Sequence, residues 1–246
     1  MVYPNLTLPN LPARPYYFSN FVSTIDGKVQ VTSDPKAYWP IGSETDYVTL
    51  IQLRTYADAL IHGKNTALWH RTFDSLAKPE FLEARKELGK GDLLYVVISG
   101  HPDDSLIPFL DNPPKGVKAL LATTTTAKIS KELEKIVKVV RFGTSSVDLH
   151  KLSEFLFKQN IKHALVEGGP HLMGSFCKAE FLDELFVTIA PKIFGNEKNT
   201  LTMVEGFLFP PKKVPSYKLV SMKQVENELY LRYKVKPLSR FNLNVP

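Results

Sequence analysis

Apolar segments of strand length recur along the chain and are separated by segments of helix length. Residues 93–99 (LLYVVIS) form an unbroken apolar run that predicts a buried strand, and residues 118–124 (KALLATT) predict another. Shorter apolar segments at 59–61, 137–140 and 164–166 predict three more strands. Strands that alternate with helices along a chain are typical of a sheet covered by helices, so the sequence predicts the α/β class.

Two of the intervening helices have sequence signals at their N-termini. Ser43 is suited to cap a helix that runs through about Tyr56. Glu44 and Asp46 then lie in its first turn, where carboxylates complement the helix dipole. Asp148 is suited to cap a second helix with one apolar face. That face consists of Leu149, Leu152, Phe155 and Leu156.

The N-terminal and C-terminal parts of the chain contain extended patterns. Residues 17–31 are predicted to be extended on both sides of Asp26 and Gly27, and an Asp-Gly pair between apolar residues is a strong hairpin signal. Near the C-terminus, apolar and polar residues alternate as in a hairpin strand with one buried face. The apolar positions are Leu229, Leu231, Tyr233 and Val235, and the polar positions are Tyr230, Arg232 and Lys234.

Residues 162–174 (KHALVEGGPHLMG) combine the end of a strand, two glycines and the start of a helix. Gly168 and Gly169 let the backbone turn without a Cβ atom, and Pro170 suits the first turn of a helix. The N–H groups of that turn and the positive end of the helix dipole favour an anionic ligand such as a pyrophosphate. A tight strand-to-helix turn without any ligand is the alternative. Glu167 favours a site, because the carboxyl ends of strands are where open α/β sheets bind ligands.

Composition restricts the classes of function. The 246 residues are 43% apolar, which suffices for a sizeable core, and the net charge is +6. The basic residues are scattered, which suits a small polyanionic ligand better than nucleic acid. The single Cys177 fits a reducing compartment, and residues 1–10 lack a signal-peptide core, so a cytoplasmic protein is expected. No apolar run approaches the length of a membrane span, so no membrane partner is expected.

Several common chemical motifs are absent from the sequence. It contains no G-x-G-x-x-G fingerprint, no G-x-x-x-x-G-K-[ST] loop and no G-x-S-x-G motif. The six histidines show no H-E-x-x-H spacing, so no metal site is expected. A chain with one cysteine cannot supply the P-C-x-x-C part of a zinc deaminase.

Three segments carry a resemblance to a known family, in the same order as in that family. They are NFVSTIDGKVQV (20–31), LIQLRTYADALIHGKNTA (50–67) and VEGGPHLMGSFCKAEFLDELFVTIAPKIFG (166–195). With their connections they span most of residues 14–200, and they resemble the reductase domain of riboflavin biosynthesis, the C-terminal domain of RibD. The resemblance implies a dihydrofolate-reductase-like fold with a mostly parallel central β-sheet, flanking helices and a C-terminal antiparallel hairpin. It further implies a single reductase domain over residues 1–246, similar to a stand-alone version without the deaminase domain.

The resemblance implies NADPH-dependent reduction of 5-amino-6-(5-phosphoribosylamino)uracil or its diaminopyrimidinone equivalent, in which ribosylamino becomes ribitylamino. Hydride delivery to C1′ requires the nicotinamide face against that carbon and a proton source nearby. The implied cofactor-binding residues are Val22, Thr66, Ser99, Gly168, Gly169, Pro170, His171, Leu172 and Met173. The implied substrate-binding residues are Arg54, Glu167 and Ser43. The residues expected to take part in catalysis are Glu167, Asn20 and Asp26.

Arg54 has two interpretations. On the predicted helix it shares a face with Leu50 and Ile51, and from the sequence alone a lone arginine there is expected to reach out to solvent. The resemblance instead implies that Arg54 binds the anionic end of the substrate, since a bidentate guanidinium suits a phosphate.

The chain departs from the family pattern at two places. Some members have a lysine six residues before Asp26, where this chain has Asn20, which hydrogen-bonds but cannot donate a proton as an ammonium does. After Thr66 the family has an acidic D-x-P-x-L-x-x-R run, whereas residues 68–76 here are LWHRTFDSL. His70 replaces an expected aspartate in that segment.

Two other functions remain open at this point. The same fold supports a reductase of dihydrofolate or another pterin, and the chain would also suit a nucleotide-binding protein without catalysis. Similarity of fold does not separate these functions. A homodimer is expected, because the family commonly forms dimers.

Overall fold

The computed structural model describes residues 2–30, 41–69, 72–198 and 200–236. The strands are β1 (Tyr16–Thr24), β2 (Ala59–Gly63), β3 (Leu93–Ile98), β4 (Val117–Thr123), β5 (Lys138–Arg141), β6 (His163–Gly168), β7 (Leu182–Ala190), β8 (Tyr217–Val225) and β9 (Glu228–Val235). The helices are α1 (Glu44–Thr55), α2 (Lys64–Trp69), α3 (Thr72–Leu76), α4 (Pro79–Glu87), α5 (Ile107–Leu110), α6 (Lys131–Ile136), α7 (Leu149–Lys158) and α8 (Pro170–Lys178). Two short 3-10 helices span Asp104–Leu106 and Pro211–Lys213.

The nine strands form one sheet in the order β5-β4-β3-β2-β6-β1-β7-β9-β8. The first seven strands of this spatial order, from β5 at the edge to β7, pair in parallel with their neighbours. Strand β9 pairs antiparallel with both β7 and β8. This topology confirms the predicted α/β fold with a mostly parallel sheet and a C-terminal antiparallel hairpin. No helix in the described part of the chain is long and apolar enough to cross a membrane.

The apolar runs of the sequence occupy the centre of this sheet because both of its faces are covered. Along β2, Leu60 packs into a cluster on one face with Leu165, and Ile61 packs into a second cluster with Val166. Successive side chains of a strand point to opposite faces, so a strand buried on both sides needs apolar residues at consecutive positions.

The strand order places a ligand crevice beside β6. After β1, the chain adds β2 to β5 outward on one side, and β6 then returns to lie between β2 and β1. Strand β7 follows on the other side of β1. In open α/β sheets, ligands bind outside the carboxyl ends of strands at such a reversal. The ends of β2 and β6 are therefore where a site is expected.

Both predicted helix caps are confirmed. Ser43 Oγ accepts from the Asp46 N–H at the start of α1, and the Asp148 carboxylate accepts from the N–H groups of His150 and Lys151 at the start of α7. The turn predicted at Asp26 and Gly27 is present, since the Gly27 N–H donates to the Thr24 carbonyl and the Thr24 N–H donates to the Lys28 carbonyl, both at 3.0 Å, but among the described residues it does not join β1 to an antiparallel strand. Strand β1 ends before this turn, and both strands beside β1 are parallel to it. The final position of the predicted extended segment, residue 31, lies outside the described residues.

The prediction of a single buried face on β9 is also wrong. Tyr230, on the face predicted to be exposed, is completely buried, and its hydroxyl donates to Glu228 at 2.6 Å. Arg232, on the same face, binds the buried Glu184 carboxylate. Polar side chains can occupy this buried face because each has a hydrogen-bond or ion-pair partner. The alternation of residue types along the sequence does not reveal such partners.

Candidate active site

The glycine pair forms the predicted turn between β6 and α8. Gly168 has a φ of +96°, in the region that favours glycine, and its peptide bond to Gly169 is cis. Gly169 is the N-cap of α8 and has no side chain to cap it, and Pro170 occupies the first turn. The first helical bond runs from the Met173 N–H to the Gly169 carbonyl at 3.0 Å. The start of α8 therefore presents backbone rather than side chains at the carboxyl end of β6.

The end of β2 faces this turn at close range. A Cβ atom at Gly63 would lie 3.8 Å from both the Gly168 oxygen and the Gly169 nitrogen. It would also lie 3.9 Å from the Leu172 Cβ atom. A Cβ atom at Gly169 would lie 3.0 Å from Thr66 Oγ1. Thr66 and Leu172 thus lie at the glycine turn, as expected for two residues that the family resemblance assigns to one binding site.

Other predicted residues surround the turn less closely. Asn20 and Val22 lie on β1, the strand next to β6, and a Cβ atom at Gly168 would lie 3.0 Å from the Phe21 ring between them. His171 lies in the first turn of α8, where a Cβ atom at Gly206 would approach its Nδ1 atom to 2.9 Å. Residues 205–207 therefore pack over the start of α8.

Arg54 of α1 and Glu167 of β6 form a buried ion pair behind the turn. Arg54 Nε donates to Glu167 Oε1 at 2.7 Å, and Arg54 Nη2 donates to Oε2 at 2.6 Å. Arg54 Nη1 donates to Ser75 Oγ at 2.7 Å. The two charged side chains are only 5% and 7% exposed. The prediction that Arg54 reaches out to solvent is therefore wrong. Its guanidinium group binds the Glu167 carboxylate instead.

His62 is the third member of this buried cluster. Its Nε2 atom lies 2.9 Å from Glu167 Oε2, and its Nδ1 atom lies 2.6 Å from the Tyr95 hydroxyl. His62 belongs to β2 and Tyr95 to β3, so the hydrogen bonds cross three neighbouring strands.

The cluster has a defined charge state. Burial raises the pKa of Glu167, but the charge and hydrogen bonds of Arg54, with the hydrogen bond from His62, lower that pKa more, to well below its ordinary value. Burial lowers the pKa of His62, and its contact with Glu167 offsets only part of this shift. At neutral pH Glu167 is therefore an anion and His62 is uncharged.

Three predicted residues make their contacts elsewhere. The Asp26 carboxylate accepts from Thr24 Oγ1 at 2.6 Å and from the Gly195 N–H at 2.9 Å. Ser43 donates to Glu228 through its N–H at 2.8 Å and its hydroxyl at 2.6 Å. Ser99 follows β3, and its Oγ accepts from the backbone N–H of the second residue after it. The structure thus shows protein partners for Asp26 and Ser43, and their assignment to catalysis and to substrate binding stays a prediction.

Sequence reasoning missed His62, Tyr95 and Ser75 as members of the cluster. A signal for the first two was present, because each is a polar ring within an otherwise apolar strand run. Ser75 carried no such signal. His70 and Arg71 lie outside the described residues. Among the residues that the structure does describe, no group of three or more His, Cys, Asp or Glu side chains could hold a metal ion.

A mostly parallel sheet with a glycine turn at its reversal point defines an α/β protein of the open-sheet class, in which such turns are a common place for phosphorylated ligands. A sequence profile of the RibD C-terminal domain matches residues 15–231. The chain belongs to this family.

Relatives and solved structures agree with that membership. A protein of Archaeoglobus fulgidus named 2,5-diamino-6-ribosylamino-4(3H)-pyrimidinone 5′-phosphate reductase is 27% identical over 200 residues, covering 81% of this chain and 90% of that protein. A protein of the same name from Methanothermobacter thermautotrophicus is 30% identical over 78% of this chain and 85% of its own length. The crystal structure of a pyrimidine reductase-like protein from Corynebacterium diphtheriae has a TM-score of 0.71 and 25% identity, covering 96% of this chain and 97% of that one.

Proposed function

We propose that residues 1–246 form a single reductase domain that uses NADPH to reduce the ribosylamino group of a phosphorylated pyrimidine to ribitylamino. The observation that carries the proposal is the glycine turn, which offers helix N-terminal backbone beside Gly63 and Thr66 at the reversal point of the sheet. The relatives described above carry the name of a pyrimidinone phosphate reductase, which supports this substrate class.

The glycine backbone supports a dinucleotide site at this turn. A Cβ atom at Gly169 would lie only 3.0 Å from Thr66 Oγ1, and the absence of that side chain leaves the backbone at the start of α8 accessible to a phosphate. The bound NADPH supplies the hydride. The residues assigned to its binding are Val22, Thr66, Ser99, Gly168, Gly169, Pro170, His171, Leu172 and Met173.

Glu167 suits the role of a hydrogen-bond acceptor for the substrate. An ionised carboxylate offers about four acceptor positions. Three hydrogen bonds fill both positions on Oε2 and one on Oε1. The remaining position on Oε1 suits a sugar hydroxyl. Because the pKa of Glu167 is lowered, this carboxylate holds no proton to donate at neutral pH.

Arg54 is assigned a different task from the direct phosphate contact that the family resemblance implies. Its Nε and Nη2 atoms already bind Glu167, and its Nη1 atom binds Ser75. Arg54 therefore keeps Glu167 ionised and orients it, and it acts on the substrate through that carboxylate. Asn20, on the neighbouring strand, is assigned a hydrogen bond to the substrate.

A cofactor-oxidation assay tests the proposal. The phosphoribosylamino forms of the diaminopyrimidinone and of the aminouracil are compared with dihydrofolate, each with NADPH or NADH. We expect turnover of a pyrimidine and a preference for NADPH. Turnover of dihydrofolate alone would establish the pterin reductase alternative. Binding of NADPH without turnover of any of these substrates would favour the nucleotide-binding protein.

We also propose that the protein is a cytoplasmic homodimer that pairs through β8. This strand is one of the two edges of the sheet, and Leu219, Val220 and Met222 on it are exposed. A long edge strand with exposed apolar side chains is a template for pairing with another chain.

A further inference from the structure

His62 is a completely buried histidine in contact with the candidate active site. It lies on β2, where its backbone is in register with Gly168 of β6, and the next residue is the glycine that faces the turn. Its side chain reaches Glu167, the residue immediately before Gly168. One residue of β2 thus meets β6 twice at the start of the turn, through its backbone and through its ring.

The hydrogen bonds of His62 fix which ring nitrogen carries the proton. Glu167 is ionised and only accepts hydrogen bonds, so the Nε2 atom of His62 must be the donor in the 2.9 Å contact. The ring is neutral, so Nδ1 is then an acceptor, and the Tyr95 hydroxyl donates to it at 2.6 Å. Burial raises the pKa of Tyr95, so this hydroxyl keeps its proton.

We propose that His62 is a positioning residue: its hydrogen bond from β2 holds the Glu167 carboxylate, and with it the adjoining glycine turn, in the geometry that receives the cofactor phosphates. Tyr95 supports this role by selecting the ring tautomer that donates to Glu167. The inference rests on the proposed function, because it takes the turn to be the phosphate site. Arg54 supplies the charge that balances Glu167, and His62 supplies its only neutral donor among the described contacts.

Three substitutions distinguish positioning from simple packing. His62→Leu keeps a branched apolar side chain in the core but removes the donor to Glu167. His62→Gln keeps an N–H donor at a position similar to Nε2. Tyr95→Phe keeps the ring but removes the hydroxyl that selects the tautomer. His163→Leu is the matched control, because His163 lies at the opposite end of the same strand as Glu167 and contacts Lys90 there.

The main measurement is the Kd for NADPH, obtained by calorimetry well below the unfolding temperature of each variant. We expect His62→Leu to raise the Kd about tenfold, because the turn is then no longer held in its binding geometry and must be ordered when the cofactor binds. His62→Gln should stay within about threefold of the unsubstituted protein, and Tyr95→Phe should fall between the two. The KM for NADPH should rise in parallel with the Kd in His62→Leu, and His62→Gln should restore it. His163→Leu should reduce stability without changing the Kd.

Each result bears on the inference in a defined way. If folded His62→Leu binds NADPH as tightly as the unsubstituted protein, His62 is only a core residue and the inference is overturned. Equal losses in His62→Gln and His62→Leu would overturn the hydrogen-bond argument. If His62→Leu does not fold, Tyr95→Phe decides, since an unchanged Kd in that variant contradicts the proposed tautomer selection. Absence of NADPH binding by the unsubstituted protein would instead refute the proposed function, which separates the two failures.

Discussion

Arg54 and Glu167 lie 113 residues apart in the chain and meet as a two-point ion pair, with N···O distances of 2.7 and 2.6 Å. Both side chains are almost completely buried. Water does not reach these two charges, so each is compensated by the other. Removing either side chain therefore leaves an unpaired buried charge. The pair also joins α1 to the strand that ends in the glycine turn, which connects the stability of the fold to the geometry of the site.

We predict that Arg54→Met reduces the free energy of unfolding by about 3–5 kcal/mol, the usual cost of breaking a buried pair on one side. Urea unfolding measures this loss. Lys118→Met is the control, because Lys118 pairs with Asp92 on the surface, where the side chains are 72% and 51% exposed. Exposed pairs contribute about 0–1 kcal/mol, so this variant should be nearly as stable as the unsubstituted protein. Equal, small losses in both variants would contradict the importance of the buried pair.

Asp46 is predicted to oppose folding at alkaline pH. Burial raises the pKa of this carboxyl to about 6, and although a hydrogen bond with Thr188 lowers it, the nearby Glu228 charge raises it further. A raised carboxyl pKa gives stability that is present below the unfolded value near 4 and is lost as the pH rises through about 6. Asp46→Asn should therefore stabilise the protein by about 2–3 kcal/mol at pH 8 but by only about 1 kcal/mol at pH 4.5.

Unfolding by urea at the two pH values measures this difference. The exposed Asp111, replaced by Asn, serves as the control and should show no difference of this size. A gain in the Asp46→Asn variant that is equal at both pH values would contradict the raised pKa.

Gly168→Ala is predicted to impair both stability and cofactor binding. The φ of +96° disfavours a side chain, and the new Cβ atom would lie 3.0 Å from the Phe21 ring. Gly195→Ala is the matched control, since Gly195 has a φ of +79° but nothing lies within 4 Å of its would-be Cβ atom. The left-handed conformation alone costs about 1–2 kcal/mol, so Gly168→Ala should exceed this loss and Gly195→Ala should not. Only Gly168→Ala should raise the Kd for NADPH. Similar behaviour of the two variants would contradict the close fit at the turn.

The strands and caps could be predicted because their signals are local. The runs at 93–99 and 118–124 are apolar at consecutive positions, which burial on both faces requires, and Ser43 precedes a first turn with two acidic residues. The glycine turn was predictable for the same reason. The insertion of β6 between β2 and β1 could not be predicted from local pattern, because it depends on pairing between residues more than a hundred positions apart.

The buried polar cluster shows the same limit in the site. Glu167 was predicted as a site residue from its position at the end of a strand. No neighbouring sequence pattern indicates that Arg54 and His62 are its partners. Arg54 has the sequence context of a surface residue, and only the folded structure brings a buried carboxylate to it. The role that we propose for Arg54 therefore changes once its partner is known, from phosphate ligand to counter-ion of Glu167.

The edge strand β8 supplies the last prediction. Met222 on this strand is 62% exposed, and the neighbouring Val220 is also exposed, so a second copy of the chain would cover apolar surface by pairing there. Met222→Lys should shift the protein from dimer to monomer, because a lysine on an edge opposes strand pairing and stays in water. Light scattering coupled to size-exclusion chromatography measures the mass. Leu88→Lys, at an exposed position after α4, is the control and should leave the mass unchanged. A dimer that persists in Met222→Lys would show that this side chain does not contribute to the interface, and an unsubstituted protein that elutes as a monomer would refute the homodimer itself.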